Sequence, residues 1–175
     1  MSITSQVIVS CSLFVALIAT PTWAQPAHPA LQHSAPLIGA AGVPFDLKTL
    51  ASNPAGLENF RGKPLVLNFF ATWCDPCRDE MPLINELAAK AGGTYQVLGI
   101  AVDDTRAAVI EYSHEAKLNF PIALDLNSTV KRFYRIFGPP ATFFIDGLGI
   151  IRDIVLGPIT SDRVKEAMKK VGFAR

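Results

Sequence analysis

Two cysteines separated by two residues, Cys74 and Cys77, have the residue type and spacing needed for redox chemistry. They follow a continuous apolar run, 65–70, which is typical of a strand buried on both faces, and they open a segment with helical periodicity. A cysteine at the start of a helix lies where unpaired amide groups stabilise a thiolate. Cys77 follows one turn later, close enough to form a disulfide with Cys74. The pair therefore predicts disulfide exchange, in which Cys74 attacks a substrate disulfide and Cys77 releases the reduced product.

A zinc site is the alternative use of such a pair. Zinc requires four ligands, and the sequence contains no second pair of cysteines at this spacing. The third cysteine, Cys11, lies in an apolar N-terminal stretch. His28 and His33 lie in a segment rich in Pro and Ala, and His114 falls at an exposed position of a predicted helix. We therefore expect neither a metal nor another cofactor.

Composition restricts the class of partner. Half of the 175 residues are hydrophobic, 18% are charged, and the net charge is +1. Acidic and basic residues are mixed along the chain, with no basic run, so we expect no nucleic-acid partner. Three cysteines are too few for a scaffold held together by disulfides. The length is that of one domain once a targeting segment is removed.

The N-terminal segment has the features of an export signal. Residues 7–19 form an apolar run that is shorter than a typical membrane-spanning helix, and a site with small residues ends at Ala24. We expect residues 1–24 to be a signal peptide and the protein to act in the periplasm or another extracytoplasmic compartment. No Lys or Arg precedes the apolar run. One alternative is therefore that residues 7–24 are retained as an inner-membrane anchor, and only then would the protein contact a membrane. A second alternative is a cytosolic protein that buries this run.

The rest of the chain divides into a leader and one folded domain. Residues 25–42 are rich in Pro, Ala and His and predict a flexible leader, whereas strands and helices alternate in residues 43–175. The predicted strands are 45–50, 65–70, 96–102, 120–124, 141–145 and 150–155, and the predicted helices are 75–91, 104–118, 128–133 and 162–171. Asp104 and Ser161 are the expected N-caps of the second and last helices. This alternation predicts a mainly parallel sheet with a terminal antiparallel hairpin, in a three-layer α/β sandwich.

Two motifs resemble those of a known family. Residues 69–82, FFATWCDPCRDEMP, are similar to the TlpA/ResA branch of extracytoplasmic thioredoxin-like proteins, and residues 134–146, YRIFGPPATFFID, resemble the Gly-x-Pro-x-Thr-Phe segment of that family. The resemblance extends over residues 45–171. It implies a thioredoxin fold with a central mixed sheet, a short N-terminal strand and one inserted strand-helix unit that begins at residues 96–102.

The resemblance also implies a client-binding surface. Pro140 matches the cis-proline that faces the cysteine pair in this family and presents backbone to a bound peptide. An ordinary trans proline in a turn is the alternative. Trp73, Pro139 and Pro140 are therefore the expected substrate-binding residues.

Acidic residues near the pair are expected to tune its chemistry. Glu80 matches a glutamate typical of the family, lies one helical turn after Cys77, and is expected to manage protons at the site. A solvated helix acid is the alternative for Glu80. Asn68 stands where thioredoxin has a buried aspartate, so that proton acceptor is missing. Asp75, between the cysteines, places negative charge near the thiolate and favours a reducing couple.

The resemblance implies a thiol-disulfide oxidoreductase that reduces disulfides in client proteins, with a membrane-bound thiol reductant upstream. Members of this branch commonly serve the maturation of cytochrome c or of copper sites. A disulfide-forming oxidase is the alternative, but such proteins usually place a histidine between the cysteines, where this chain has Asp75 and Pro76. A peroxiredoxin would have a threonine where Ala71 stands. A non-enzymatic binding module would be indicated by loss of a cysteine, and both are present.

Overall fold

The computed structural model describes residues 36–172 of the chain. The predicted signal peptide, Cys11, His28 and His33 lie outside the described residues. Within residues 36–172, no helix is long and apolar enough to cross a membrane.

Every predicted helix and strand is present, with ends that agree to within a few residues, and one short strand and one 3-10 helix are additional. The elements are β1 Asp46–Lys48, β2 Pro54–Gly56, the 3-10 helix Leu57–Phe60, β3 Leu65–Phe70, α1 Asp75–Lys90, β4 Gln96–Val102, α2 Arg106–Glu115, β5 Ile122–Asp125, α3 Thr129–Phe133, β6 Ala141–Ile145, β7 Ile151–Leu156 and α4 Ser161–Lys170. Gly92 and Gly93, both with positive φ, follow the end of α1, where glycine commonly ends a helix.

A mixed five-stranded sheet forms the centre of the fold, in the order β5-β4-β3-β6-β7. Strands β3, β4 and β5 are parallel, whereas β6 runs antiparallel to both β3 and β7. This is the thioredoxin-like sheet that the sequence predicts. Strand β4, which the resemblance assigned to an inserted unit, pairs directly with β3 inside the sheet. The single N-terminal strand expected from the sequence is instead an antiparallel hairpin of β1 and β2.

Strand β3 contributes to a hydrophobic core on each face of the sheet. Val66 and Phe70 pack on the face covered by α1, α2 and α4, whereas Leu65, Leu67 and Phe69 pack on the face covered by α3 and the N-terminal hairpin. All six residues of the strand are buried. Burial on both faces explains why the strand is apolar throughout instead of alternating.

Two predicted helix caps are wrong by one residue each. Thr105, not Asp104, caps α2, and Thr160, not Ser161, caps α4; each threonine hydroxyl accepts from the amide three residues later. In both cases two adjacent residues have side chains suited to capping, and the sequence alone does not decide between them. The carboxylate of Asp104 is used instead at the site described below.

The chain before β3 contacts both outer strands of the sheet. The amide of Gly39 donates to the carbonyl of Ile151 at the start of β7 (2.7 Å), and the amide of Leu50 donates to the carbonyl of Ile122 in β5 (2.8 Å). Strand β1 lies between these two contacts in the chain. Residues 39–50 therefore run from one outer strand of the sheet to the other.

Candidate active site

Cys74 and Cys77 form a disulfide at the N-terminus of α1, with their Cα atoms 5.2 Å apart. Cys74 is the N-cap residue of the helix, and its Sγ accepts a hydrogen bond from the amide of Cys77 at 3.3 Å. Pro76 lies in the first turn, where its missing amide proton costs no hydrogen bond. The side chain of Cys74 is 5% exposed and that of Cys77 is fully enclosed. Of the two residues, only Cys74 therefore has any contact with solvent.

Among the residues that the structure describes, no set of metal ligands surrounds the pair. The two sulfurs are bonded to each other, and His114 is exposed on α2. Across residues 36–172, no group of three or more His, Cys, Asp or Glu side chains is arranged to hold a metal ion.

The second motif packs against the cysteine pair. The peptide bond between Pro139 and Pro140 is cis. The carbonyl oxygen of Pro139 lies 3.6 Å from Sγ of Cys74. Pro140 is buried, whereas Pro139 is partly exposed. The structure therefore brings together two motifs that are more than 60 residues apart in the sequence.

Glu80 is buried and connects three parts of the fold. Its side chain is only 4% exposed; Oε1 accepts from Nδ2 of Asn68 and Oε2 accepts from the amide of Ile159, both at 2.8 Å. The same Asn68 amide group also donates to Oγ1 of Thr142 at 3.0 Å. The alternative of a solvated helix acid is therefore wrong.

Burial changes the proton affinity of Glu80. Loss of solvent raises the pKa of its carboxyl group above the ordinary value, although the hydrogen bonds from Ile159 and Asn68 favour the ionised form and oppose this shift. Oδ1 of Asn68 is buried and has no hydrogen-bond partner among the described residues. Glu80 therefore keeps its proton to a higher pH than an exposed glutamate would, beside an amide with one unused acceptor.

Two aspartates at the end of β4 hold the residues that precede Cys74. The carboxylate of Asp104 accepts from the amide of Thr72 (2.7 Å) and from its hydroxyl (3.2 Å). The carbonyl of Asp103 accepts from Nε1 of Trp73 at 2.9 Å, while the indole remains 59% exposed. The sequence predicts Asp104 as a helix cap and does not reveal that it binds Thr72. One feature of the sequence does point to this contact: both aspartates follow a strand predicted to be parallel to β3, and the carboxyl ends of parallel strands meet at one edge of a sheet.

Comparison with known proteins agrees with this geometry. A sequence model of the AhpC/TSA family matches residues 38–154. Thiol-disulfide oxidoreductase ResA of Oceanobacillus iheyensis is 37% identical over 134 residues, which are 73% of this chain and 69% of that protein. ResA of Geobacillus kaustophilus is 31% identical over 142 residues, or 80% of this chain and 81% of that protein.

A solved structure is similar to this chain in fold and in sequence. The structure of a secreted Mycobacterium tuberculosis disulfide oxidoreductase, described as homologous to E. coli DsbE, has a TM-score of 0.64 and 26% identity, covering 71% of this chain and 94% of that chain. The pair motif, the sheet and the relatives all point to the same chemistry. The chain thus belongs to the AhpC/TSA family and, within it, to the ResA-like thiol-disulfide oxidoreductases, with Cys74 and Cys77 as its redox pair.

Proposed function

We propose that this oxidoreductase reduces disulfides in client proteins outside the cytoplasm, with Cys74 as the attacking residue and Cys77 as the resolving residue. The slightly greater exposure of Cys74 supports this assignment, because an attacking sulfur must reach a client and a resolving sulfur need only reach its neighbour. The position of Cys74 at a helix N-terminus, with the Cys77 amide pointing at its sulfur, favours the thiolate form.

The exchange has two balanced steps. The Cys74 thiolate attacks one sulfur of the client disulfide, and the other client sulfur leaves as a thiolate. The Cys77 thiolate then attacks Sγ of Cys74 and releases the second client sulfur. Two electrons pass to the client, and the enzyme is left with the Cys74–Cys77 disulfide. An upstream membrane-bound thiol reductant would then restore the dithiol.

Neighbouring residues complete the proposed site. Trp73, Pro139 and Pro140 bind the client segment around its cysteine. Trp73 directly precedes Cys74, and the carbonyl of Pro139, which is joined to Pro140 by a cis bond, lies 3.6 Å from its Sγ. Glu80 accepts or holds a proton during the second step, when Cys77 must become a thiolate. Its burial and raised pKa support this role, because a carboxyl that titrates closer to neutrality exchanges protons more readily with a thiol.

Location and clients follow from the family resemblance and the N-terminal sequence. We propose that residues 1–24 are a signal peptide, followed by a leader and a thioredoxin-like domain. Residues 39–42, which the sequence assigned to the leader, are hydrogen-bonded to residues 149–151 and belong to the domain. The secreted oxidoreductase named above supports export. Retention of residues 7–24 as a membrane anchor is compatible with the same chemistry. Reduction of cysteines for cytochrome c or copper-site maturation is the proposed cellular role.

Replacement of Cys77 by serine tests the assignment of roles. We expect Cys77→Ser to attack an oxidised protein such as insulin but to stop at the mixed disulfide, which accumulates and is detected by non-reducing electrophoresis and mass spectrometry. Cys74→Ser is the matched control, and it should trap nothing because the remaining Cys77 is enclosed. The reverse pattern, with trapping by Cys74→Ser alone, would exchange the two roles.

The reduction potential of the pair tests the direction of electron flow. We expect a value near that of thioredoxin, roughly −270 mV, because the negative charge of Asp75 opposes the stabilisation of the thiolate. Equilibration with glutathione of defined ratio, followed by mass spectrometry of the alkylated protein, gives this value. A potential near roughly −120 mV would instead identify a disulfide-forming oxidase.

A further inference from the structure

Asp153 is a buried carboxylate on β7 that binds two cations of α4. Its side chain is only 1% exposed. Arg163 donates to both of its oxygens, at 2.6 and 2.7 Å, and Lys170 donates to Oδ2 at 3.0 Å. Burial alone raises the pKa of Asp153, but these donors and the amide of Ile154 hold that pKa below its ordinary value. The carboxylate is therefore ionised at neutral pH and ties the strand to the helix.

The two cations belong to the first and last turns of α4, so the helix is attached near both of its ends. The fork of Arg163 binds both carboxylate oxygens, and a two-pronged contact of this kind fixes direction as well as distance. Val164 and Met168 already attach α4 to the sheet by apolar contacts. A buried ion pair commonly adds no more stability than apolar residues would in its place. What this one adds is a definite position of α4 along β7.

The start of α4 leads back to the redox site through Ile159. The hydroxyl of Thr160, the N-cap of α4, accepts from the amide of Arg163 at 3.3 Å. Ile159 directly precedes Thr160, is itself buried, and donates its amide to Oε2 of Glu80 at 2.8 Å. A continuous series of contacts therefore runs from the carboxylate of Asp153, through Arg163 and the helix cap, to the carboxylate of Glu80.

The two oxygens of Glu80 are held in different ways. Oε1 accepts from Asn68, which lies within β3 and is held by the central sheet. Oε2 accepts from Ile159, which lies in the connection between β7 and α4, so the position of this amide depends on where the helix begins. A donor that moves away from a carboxylate no longer favours its ionised form. The carboxyl group of Glu80 would then keep its proton to a higher pH.

We infer that Asp153 is a positioning residue for Glu80: through Arg163 it fixes the start of α4 and so keeps the Ile159 amide on the carboxylate of Glu80. The inference rests on the proposed role of Glu80 in holding a proton during exchange, and it adds the residue that secures one of its two donors.

Titration of Glu80 in the oxidised protein tests this positioning, because neither thiol of the pair then titrates. The chain is labelled with 13C-glutamate, and the side-chain signal that is lost in Glu80→Gln is followed against pH by NMR. We expect Asp153→Asn to raise the midpoint of this titration by roughly half a pH unit or more. Removal of a negative charge would by itself lower the midpoint, since a nearby anion favours the protonated carboxyl. The direction of the shift therefore separates displacement of the Ile159 amide from a change in charge.

Arg163→Lys is the second variant, because it keeps the charge and removes the two-pronged contact. It should also raise the midpoint, and it decides the question even if Asp153→Asn does not fold. Asp162→Asn is the matched control, since it makes the same chemical change at an exposed acid of α4 that is paired with Lys165. An unchanged midpoint in Arg163→Lys, or an equal rise in Asp162→Asn, would overturn the inference.

The reduced protein provides a readout that a merely structural role would not move. Asp153→Asn should lower the apparent pKa of the Cys74 thiol, measured by alkylation, because Glu80 then carries less negative charge. The same replacement should have no further effect when Glu80→Gln is already present. A shift of equal size in both backgrounds would overturn the inference. A wild-type enzyme that reduces no client disulfide would overturn the proposed function and leave the titration of Glu80 unaffected.

Discussion

Cys74→Ser is expected to reduce the rate of disulfide reduction on the order of a thousandfold or more, the scale of loss that follows removal of an enzyme's nucleophile. A serine hydroxyl stays protonated at neutral pH and cannot attack a disulfide. Cys77 cannot replace the missing sulfur, because its side chain is fully enclosed. Turnover of insulin with dithiothreitol as the electron source measures the effect.

The fold should survive this replacement. Cys74 occupies the N-cap of α1, where its sulfur accepts from the Cys77 amide, and serine is among the best residues at that position. Cys74→Ala is the matched control: it removes both nucleophile and cap acceptor. It should be equally inactive but about 1 kcal/mol less stable to urea than Cys74→Ser when both are reduced. Substantial turnover by Cys74→Ser would mean that Cys77 opens to solvent, and the roles proposed for the pair would be wrong.

Glu80→Gln is expected to lower the apparent pKa of the Cys74 thiol and to slow exchange at neutral pH about tenfold or more. An ionised carboxylate near two thiols disfavours a second negative charge, so its removal stabilises the thiolate. The proton that Glu80 takes up or releases during exchange is lost with the same change. Rates of thiol alkylation, followed against pH in the reduced proteins, measure the thiol pKa directly.

The contacts of Asn68 explain why glutamine can be accommodated in place of Glu80. The carboxylate of Glu80 accepts two N–H groups, from Asn68 and from Ile159, whereas a glutamine offers one acceptor and one donor. If the Asn68 amide turns over, its unpartnered Oδ1 faces the new donor, and the hydroxyl of Thr142 can donate to the same oxygen. The same rotation would accommodate neutral Glu80. We therefore expect Glu80→Gln to fold.

Stability against pH provides an independent test of the Glu80 pKa. Because the folded pKa is raised, folded protein binds more protons than unfolded protein between the unfolded and folded pKa values. The contribution of Glu80 to stability is thus complete below the unfolded pKa and is lost as pH rises through the folded pKa. Glu80→Gln should lack this decline. Asp79→Asn, at the exposed neighbouring acid, is the control and should behave as the wild type.

The alkylation experiment can contradict the role of Glu80. If the profiles of Glu80→Gln and the wild type superimpose, the site consists of the cysteines and Pro140.

Local features of the sequence predicted most of the fold. The apolar run of β3 and the helical periodicity of α1 are each determined by neighbouring residues, and the structure has both elements where the pattern places them. Strand β2 was missed because Pro54–Gly56 has little strand propensity and forms by pairing with β1.

Contacts between distant residues account for what the sequence could not show at the site. The sequence singles out Glu80 and Asn68 but does not show that Asn68 donates a hydrogen bond to Glu80. It also does not show that Asn68 donates to Thr142, which lies 74 residues later in the chain. The hold of Asp104 on Thr72 similarly spans 32 residues. No periodicity reports such pairs, because they are set by how the elements pack and not by local preference.

The contacts of residues 39–50 with both outer strands affect how client segments can approach the edges of the sheet. An uncovered sheet edge is a template on which another extended chain can add as an extra strand, and this is a common route to aggregation. An enzyme that reduces client disulfides, as proposed above, meets extended client segments. Here the start of β7 and the middle of β5 are already hydrogen-bonded to the enzyme's own chain. Client segments are thereby denied strand addition at these positions.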